Sequence, residues 1–427
     1  MGGAGRQGRR RRAAPWRARR GGTAPARRLL RGGDLRAARG GAARHRRLPA
    51  AAASAEVGPL SGLLIDGRAL QDRSAVRGIG TYVRGLCEGL HGLGVHPDLL
   101  LRAGAPPPPE LARWGLGEGA RVPVLKRRIQ PVADHLLVMR ALSRVRPSLY
   151  HAVEWAQPLR ARVPVVVTVH DLIPFLYPRL YPWMRRERLA ALRLLRRADA
   201  VVAVSGCTAA DTVRLARVDP ARIAVVPHGV AADFLPAPEA EVDAVRARLG
   251  LDGPYLLSVG TFDPRKRVEL LMRAAAGLEG LTLVVAGDQG AYAGAVRAAA
   301  AAAGVADRTR VTGHVPLPEL VALYSGAGCL LFTSGYEGFG LPLLESMACA
   351  TPAVGFRNSA LGEVGGEAAV LVDDGDVEAM AAAARRLLDD PAERADRVAT
   401  GRAWAARFTW ETTARRTLDV YRTLTSM

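Results

Sequence analysis

The stretch Thr333-Ser334-Gly335-Tyr336-Glu337-Gly338-Phe339-Gly340-Leu341-Pro342-Leu343-Leu344-Glu345 governs the interpretation of the rest of the chain. It follows the apolar run 328–332, which predicts a buried strand, and the residues from Pro342 onward favour a helix. Three glycines in the connecting loop let a ligand approach the backbone closely. Because free N–H groups and the helix dipole both face such a loop, the stretch predicts an anion-binding site between a strand and a helix.

Two carboxylates frame this predicted site, Glu337 in the loop and Glu345 eight positions later in the helix. A carboxylate repels phosphate, so these side chains are better suited to accept hydrogen bonds from hydroxyl groups. Phosphate binding beside hydroxyl binding suggests a sugar nucleotide. The alternative is an ordinary strand–loop–helix corner with two solvated glutamates.

The composition is that of a soluble globular protein with a strongly basic N-terminal segment. The 427 residues are 49% hydrophobic, and this length suits two or three domains. The net charge is +20, but residues 1–55 contain sixteen arginines and one aspartate, a net +15, which leaves about +5 for the rest. No apolar run reaches the length of about 18 residues that a membrane-spanning helix needs.

Residues 1–55 consist mainly of Gly, Ala and Arg without periodicity, which is the composition of a disordered tail. They lack the apolar core of a secretory signal peptide. Three interpretations compete: a solvated tail or a wrongly chosen start codon, a tether to an anionic membrane or nucleic acid, and a transit peptide. The segment is left out of the fold prediction.

Cysteine and lysine usage add two constraints. The four cysteines are scattered, with no C-x-x-C pair, which fits a reducing, cytoplasmic compartment and gives no zinc site; they are Cys87, Cys207, Cys329 and Cys349. Only two of the 60 basic residues are lysines. Lys266 is one of them, and it is notable in a chain whose usual cation is arginine.

Strands and helices are predicted to alternate in two blocks, which favours two parallel sheets covered by helices on both faces. The predicted strands are 63–66, 149–151, 163–169, 200–204 and 223–226, then 255–259, 281–286, 310–313, 328–332 and 369–372. We predict a first domain at 61–235, a linker at 236–253 and a second domain at 254–405. The C-terminal helix, 406–427, is expected to pack back on the first domain.

The segment from Glu337 to Glu345 resembles the E-x7-E motif of retaining glycosyltransferases, in the E-G-F-G-L-P-x-x-E form typical of glycosyltransferase family 4. The resemblance covers residues 61–427 and implies the GT-B fold, an α/β architecture of two Rossmann-like domains facing a central cleft. Donor and acceptor would lie in this cleft, and hinge closure would exclude water. The resemblance also implies transfer of a glycosyl group with retention of anomeric configuration.

The resemblance assigns roles to four candidate catalytic residues. In the family, basic residues after the first strand of the second domain bind the donor pyrophosphate, and here these are Arg265 and Lys266. Cations at the start of a helix are unfavourable unless an anion binds, which supports this role. Glu337 would bind hydroxyls of the transferred sugar, and His170, which follows the strand 163–169, would face that sugar.

The implied donor-binding residues surround the nucleotide and the sugar. Glu345 would accept hydrogen bonds from the ribose hydroxyls, and Gly313 would lie by the base. Backbone N–H groups of Phe339 and Gly340 would help to hold the sugar. The full predicted set is Gly80, Gly229, Gly313, Gly338, Phe339, Gly340, Leu341 and Glu345. For Gly80 the alternative is a simple turn that caps a helix.

Two positions depart from the family pattern, and one motif is ambiguous. Thr261 stands where many members carry an arginine, and His228 stands where an asparagine is common. Arg265 and Lys266 are then left to supply the positive charge. The segment 374–376, Asp-Gly-Asp, matches the D-x-D text of metal-dependent glycosyltransferases, but its place before a helix predicts a turn and an N-cap. No catalytic metal is therefore expected.

The resemblance favours mannose as the transferred hexose and GDP-mannose as the donor, with no other cofactor. The acceptor would be a hydroxyl of a glycan or a lipid-linked molecule in envelope or polysaccharide synthesis. The basic amphipathic helix 185–197 predicts a core-facing stripe with a solvated basic face or, alternatively, peripheral contact with an anionic membrane. A sugar-nucleotide epimerase and a non-catalytic basic-tailed binding protein are the competing functions, and nucleic-acid binding is not favoured.

Overall fold

The computed structural model describes residues 62–124, 130–154, 158, 161–181 and 185–425. Two parallel sheets with flanking helices make up this part of the chain, so the predicted alternation of strands and helices is confirmed. The predictions for residues 1–55 and for the first side chains of the basic helix 185–197 lie outside the described residues.

The first domain is built on seven strands. They are β1 Leu63–Asp66, β2 Asp98–Arg102, β3 Gly117–Val122, β4 Leu149–Ala152, β5 Val165–Val169, β6 Ala200–Ala203 and β7 Ile223–Val225. They form one sheet in the order β3-β2-β1-β4-β5-β6-β7, with every neighbouring pair parallel. The helices of this domain are α1 Gly78–Gly92, α2 Glu110–Trp114, α3 Gln130–Val145, α4 Ile173–Leu176, α5 Arg185–Leu195 and α6 Gly206–Asp211.

The second domain is built on six strands. They are β8 Tyr255–Val259, β9 Thr282–Ala286, β10 Thr309–Gly313, β11 Cys329–Phe332, β12 Ala353–Phe356 and β13 Val370–Val372. They form a parallel sheet in the order β10-β9-β8-β11-β12-β13. The helices from here to the C-terminus are α7 Glu239–Leu249, α8 Val268–Ala276, α9 Ala293–Ala302, α10 Leu317–Ser325, α11 Leu341–Ala348, α12 Leu361–Gly365, α13 Val377–Asp389, α14 Pro391–Ala405 and α15 Trp410–Thr425.

The central strands are buried on both faces, which is why their sequences are apolar without alternation. All five residues of β5 and of β8 are buried. The sequence pattern predicts no strand at β2, β3 or β12. The edge strand β3 reads Gly-Glu-Gly-Ala-Arg-Val and buries only Val122. It has no apolar run. A search for apolar runs, which identifies the central strands, therefore does not identify β3.

Both sheets reverse their strand order beside their first strand. β1 lies between β2 and β4, and β8 lies between β9 and β11. At such a point the loops that follow two neighbouring strands run in opposite directions. They leave a crevice at the carboxyl ends of these strands, where ligands bind in open α/β sheets. In the second domain this crevice is bordered by the segment after β8 and by the glycine stretch after β11.

The C-terminal helix α15 packs against α1 of the first domain. Trp410, Ala414 and Tyr421 share one buried apolar cluster with residues of α1. Two glycines of α1 allow this close approach. A Cβ atom at Gly89 would lie 2.4 Å from the carbonyl oxygen of Trp410, and one at Gly85 would lie 2.1 Å from its indole ring.

None of the helices that the structure describes is both long enough and apolar enough to span a membrane.

We predict that Gly89→Ala lowers the free energy of unfolding by about 2 kcal/mol, because the added methyl group would overlap the backbone of α15. Gly92→Ala is the matched control on the same helix, since no heavy atom lies within 4 Å of a Cβ built there. The control should be neutral or stabilising by about 0.5 kcal/mol. Urea unfolding measures both, and equal values would contradict the packing of α15 on α1.

Candidate active site

The residues after β11 form a glycine loop, residues 333–340, that leads into α11. Gly340 precedes the helix with φ of +113°, a conformation that residues with a side chain rarely adopt. A Cβ atom there would also lie 2.7 Å from the side chain of Leu361. Leu341 is the first residue of α11, and Pro342 is the second, where its missing N–H costs no helical hydrogen bond.

A second loop, the basic turn at residues 263–267, faces the glycine loop from the end of β8. The Asp263 side chain accepts a hydrogen bond from Arg265 N at 2.9 Å and starts a short 3-10 turn. Two hydrogen bonds to backbone carbonyl oxygens of the basic turn join the two loops. Gly335 N donates to the Arg265 carbonyl oxygen at 2.8 Å, and Thr333 Oγ1 donates to the Lys266 carbonyl oxygen at 2.8 Å.

Three of the predicted catalytic residues meet at this junction. Lys266 Nζ lies 2.5 Å and Arg265 Nη1 2.8 Å from the same oxygen, Oε1, of Glu337. The three side chains are only 10–14% exposed. Burial alone would raise the pKa of Glu337, but Lys266 and Arg265 outweigh it and lower the pKa to about 2. Burial also lowers the pKa of Lys266, and the Glu337 carboxylate offsets this only in part.

Glu345 lies one turn further along α11, in a different electrostatic environment. Its carboxyl group is bonded by a phenol, because Tyr324 Oη donates to Oε2 at 2.9 Å. Burial raises the pKa of Glu345 to about 7, and this hydrogen bond opposes the shift only in part. A half-protonated carboxyl with spare acceptor capacity can accept further hydrogen bonds from hydroxyl groups.

His170 lies where the first domain touches the glycine loop. Its backbone carbonyl oxygen would be 1.8 Å from a Cβ atom at position 338, so only glycine fits there. The ring is held within the first domain: Nε2 donates to the Val153 carbonyl oxygen at 3.0 Å, and Nδ1 lies 3.4 Å from Nε2 of His228. Burial lowers the pKa of His170 to about 4, so the ring is neutral at pH 7.

Asp171 follows His170 and also approaches the cluster. Its Oδ1 accepts a hydrogen bond from Ile173 N at 2.9 Å. Burial raises the pKa of Asp171, while nearby Arg265 lowers it and Glu337 raises it further. The cleft thus brings a carboxyl group of the first domain close to the charges of the second.

The remaining predicted donor-binding glycines are placed by backbone packing. Gly80 faces the turn at Ser74 and Ala75, where a Cβ atom would lie 2.3 Å from a carbonyl oxygen. Gly229 faces the start of α15, with Trp410 N at 2.3 Å. Packing alone therefore requires glycine at both positions, and their contact with a donor stays a prediction. Gly313 has φ of +75°, and its carbonyl oxygen accepts from Gly287 N at 2.7 Å.

Phe339 is buried at 6% exposure, and its ring centroid lies 5.0 Å from that of His228. His228, which replaces an expected asparagine, is itself 4% exposed. The substitution therefore places an aromatic ring behind the glycine loop, on the side of the first domain.

The segment 374–376 behaves as the predicted turn and N-cap. Asp376 Oδ1 accepts from Ala379 N at 2.9 Å and caps α13. Asp374 is paired with Arg267 and with the Asn358 amide. Over the part of the chain that the structure describes, no group of three His, Cys, Asp or Glu side chains is arranged to hold a metal ion.

Sequence reasoning missed several residues that hold this site together. They are Tyr324, which bonds Glu345, and Ser205, Asp211 and Glu363, which join the glycine loop or its neighbours across the two domains. Their partners are 21 to 157 positions away in sequence. A local sequence pattern cannot identify pairs so far apart in sequence. Only Tyr336, the partner of Asp211, lies within the motif and could have been recognised from the sequence.

The arrangement of these residues suits the binding of a phosphate group and of hydroxyl groups side by side. Two buried cations beside the N-terminus of a helix can stabilise a phosphate group. Two glutamates of opposite pKa shift can accept hydrogen bonds from hydroxyl groups on either side of it. Both features lie at the strand-order reversal of the second sheet.

Two family models match the chain. The model described as "Glycosyl transferases group 1" matches residues 241–404, and the model described as "Glycosyltransferase Family 4" matches residues 76–234. The two matches therefore divide between the second and the first sheet.

Two curated relatives are similar over most of the folded chain. The O-antigen chain mannosyltransferase B of Escherichia coli is 30% identical over 293 residues, which cover 66% of this chain and 76% of that protein. The D-inositol 3-phosphate glycosyltransferase of Acidothermus cellulolyticus is 32% identical over 386 residues, which cover 81% and 85%.

Solved structures share the two-domain architecture. Sucrose-phosphate synthase from Thermosynechococcus elongatus superposes with a TM-score of 0.71 at 24% identity and covers 85% of this chain and 99% of that one. Anabaena Alr3699/HepE in complex with UDP and glucose gives 0.69 at 18% identity, with 85% and 100% covered. At these identities the likeness concerns the fold alone, and the fold is GT-B, as predicted.

We predict opposite stability effects for the two glutamates. Glu337→Gln should destabilise by about 3 kcal/mol between pH 5 and 7.5, because it leaves two buried cations without their carboxylate. The lowered pKa of Glu337 means that its stabilising effect is present above its unfolded pKa and is lost only as the pH falls towards 2.

Glu345→Gln should stabilise by less than about 1 kcal/mol near pH 5 and by about 2 kcal/mol more at pH 7.5. The raised pKa of Glu345 means that the wild-type residue favours the fold at low pH, and that this benefit is lost as the pH rises through 7. Urea unfolding of both variants at the two pH values gives the comparison. Effects of the same sign at pH 7.5 would contradict the assigned environments.

Proposed function

Because the chain belongs to glycosyltransferase family 4, we propose that it is a retaining hexosyltransferase that uses a nucleoside-diphosphate sugar. The acceptor in this proposal is a hydroxyl group of a glycan or of a lipid-linked molecule. The observation that carries the proposal is the pairing of Lys266 and Arg265 with Glu337 beside the N-terminus of α11.

The main barrier to this reaction is the departure of a nucleoside diphosphate from a carbon with oxocarbenium character. Negative charge develops on the leaving phosphate, and preorganised cations lower the barrier most effectively. In our proposal Arg265 and Lys266 bind that phosphate, and the N–H groups at the start of α11 add to the field. The buried surroundings strengthen each of these interactions.

Glu337 would then exchange partners. It now bonds the two cations, and a bound pyrophosphate would compete for them. Its carboxylate, with a pKa of about 2, stays ionised and accepts hydrogen bonds from hydroxyls of the transferred sugar. Glu345 would accept from the ribose hydroxyls, with Tyr324 fixing the orientation of its carboxyl group.

No described carboxylate is well suited to attack the sugar carbon. Asp171 is the nearest candidate from the first domain, but it accepts a backbone hydrogen bond, and burial raises its pKa. We therefore propose transfer on the front face, in which the leaving phosphate itself takes the proton of the acceptor hydroxyl. This route gives retention without a covalent enzyme intermediate.

The positive charge of Arg265 and Lys266 also supports a reaction that is independent of metal ions. Two cations on one turn can neutralise the charge that a divalent ion neutralises in other transferases. Asp374 and Asp376, the only D-x-D text in the sequence, are engaged in a turn and a cap.

Mannose is our preferred hexose, and GDP-mannose our preferred donor. The support is the Escherichia coli relative, which is named as an O-antigen chain mannosyltransferase. The solved Anabaena protein of the same fold holds UDP and glucose, so the donor needs a direct test. A polysaccharide or another glycan of the cell envelope is the corresponding product class.

We also propose a cytoplasmic location, with peripheral contact at the inner face of the membrane as an added hypothesis. The end of α5 and the turn after it form a basic face, with Arg193, Arg196 and Arg197 exposed and Leu194 and Leu195 buried. Part of this face is already engaged, because Arg196 Nε donates to the Ala216 carbonyl oxygen at 2.6 Å.

A thermal-shift panel of GDP-, UDP-, ADP- and dTDP-sugars tests the donor. We expect one nucleotide to stabilise the full chain, by about 2.7 kcal/mol when present at 100 times its dissociation constant. Glu345→Ala should abolish the shift, whereas Glu367→Ala, at an exposed glutamate, should preserve it. If no nucleotide sugar shifts the folded protein, the transferase proposal is wrong.

Transfer assays with the donor so identified test the role of the basic turn. Lys266→Ala should lower kcat by about 10²- to 10³-fold, because it removes a cation that stabilises the leaving phosphate. Arg273→Ala, at an exposed cation on α8, is the matched control and should keep the wild-type rate. EDTA should leave wild-type activity unchanged. Loss of activity with EDTA and its recovery with Mg²⁺ would show that a metal ion supplies the charge instead.

A further inference from the structure

The start of α6 in the first domain makes hydrogen bonds to the glycine loop of the second domain. Ser205 caps α6, and its Oγ donates to the carbonyl oxygen of Gly338 at 2.6 Å. Thr208 Oγ1 donates to the same oxygen at 3.1 Å. Both hydroxyls are buried, so the orientation of the peptide between Gly338 and Phe339 is fixed by groups of the opposite domain.

The residue before Glu337 is held from the same helix. Tyr336 Oη donates to Asp211, the last residue of α6, and Cys207 Sγ lies 3.7 Å from the same phenol oxygen. Asp211 is 8% exposed, so this bond is shielded from water. Burial, together with Asp211, raises the pKa of Tyr336, and the phenol stays protonated as the donor.

A pair of hydrogen bonds to one carboxylate satisfies two N–H groups at the start of α6. Glu363, from α12 of the second domain, accepts from Gly206 N at 2.9 Å and from Cys207 N at 3.1 Å. A carboxylate at this position caps the helix and complements its dipole. The cap comes from another domain, so it exists only while the two domains are together.

Glu337 therefore lies between two residues that the first domain holds in place. Its own backbone N–H donates to Ser359 Oγ at 2.9 Å, and its carboxylate faces the basic turn. We propose that Tyr336, Asp211 and Glu363 are positioning residues for the glycosyl transfer. They act on Glu337 by aligning the glycine loop against α6. This inference rests on the proposed function and extends it to residues that touch neither sugar nor phosphate.

A different contact between the domains can distinguish the positioning of Glu337 from a role that only holds the two domains together. Arg77 Nη2 lies 2.9 Å from Asp288 Oδ2, and this exposed pair does not touch the glycine loop. If α6 only held the domains together, loss of the Arg77–Asp288 pair would have the same kind of effect as loss of the Tyr336–Asp211 bond. If α6 positions Glu337, only loss of the Tyr336–Asp211 bond should lower kcat.

The experiment is a double-mutant cycle on Tyr336→Phe and Asp211→Asn, with Asp288→Asn as the matched control. We expect each of the first two changes to lower kcat by about tenfold. This corresponds to the free energy of one hydrogen bond to a charged group. The double variant should be no slower than either single variant. Affinity for the free nucleoside diphosphate should change less than about twofold, because the nucleotide is bound within the second domain. Asp288→Asn should keep the wild-type kcat.

Hydrogen exchange at residues 336–340 gives a readout that does not need activity. Exchange in this loop should be faster in Tyr336→Phe and in Glu363→Gln, and unchanged in Asp288→Asn. Glu363 is exposed, and Gln has nearly the same shape. Glu363→Gln should therefore fold, and its exchange data test the proposal even if a variant at a buried position fails to fold.

Three results would overturn the proposal: an unchanged kcat in both single variants, additive effects in the double variant, or unchanged exchange in the loop. These outcomes are distinct from failure of the proposed function. A wild-type protein that binds no nucleotide sugar and transfers none refutes the transferase assignment. The exchange data then still decide whether α6 holds the loop.

Discussion

The candidate active site depends on two cations that share one carboxylate oxygen. Lys266 and Arg265 both bond Oε1 of Glu337 in buried surroundings. Buried charges are tolerated only when they are paired, and here two like charges are held close together. Burial foremost, and Arg265 as well, lower the pKa of Lys266. A diphosphate group would relieve this repulsion and release Glu337 to bind hydroxyls, so the same cluster favours the binding of an anion and of a sugar.

The two sheets share the strand order around their first strand, but among the described residues that point carries neighbouring glycines in the second sheet and an engaged aspartate in the first. Beyond the second sheet, Gly260, Gly287 and Gly313 lie side by side, and a Cβ atom at Gly287 would be 2.1 Å from the Gly260 carbonyl oxygen. Beyond the first sheet, Asp66 is already bonded to Arg68 at 2.7 Å and to Tyr150 at 3.1 Å. Phosphate groups need exposed N–H groups, so this difference supports the proposal that the nucleotide binds in the second domain.

The sequence was informative where a local pattern has a local cause. Buried strands such as β5 and β8 are apolar because both faces are covered, and the turn at residues 374–376 follows from its place before a helix. The edge strand β3 has no such pattern, since one side of it faces no neighbouring strand. The partner of Glu345 could not be predicted either, because Tyr324 reaches it from another helix. Likewise, Gly229 fits a motif, yet its nearest contact is with Trp410, 181 positions later.

The glycines of the E-x7-E stretch show how a motif in one domain depends on contacts elsewhere. Gly338 is required because the His170 carbonyl oxygen of the first domain would lie 1.8 Å from any Cβ atom. Gly335 lies against the Arg267 guanidinium of the basic turn, which a Cβ atom at 2.8 Å would displace. Only Gly340 is set by its own backbone conformation. Two of the three glycines therefore depend on packing partners distant in sequence, one of them across the cleft. Ser205 and Thr208 bond the same residue 338 that His170 crowds, so steric exclusion and hydrogen bonding fix one peptide from one side. The loop proposed to bind the donor in one domain is thus shaped by the domain that would present the acceptor.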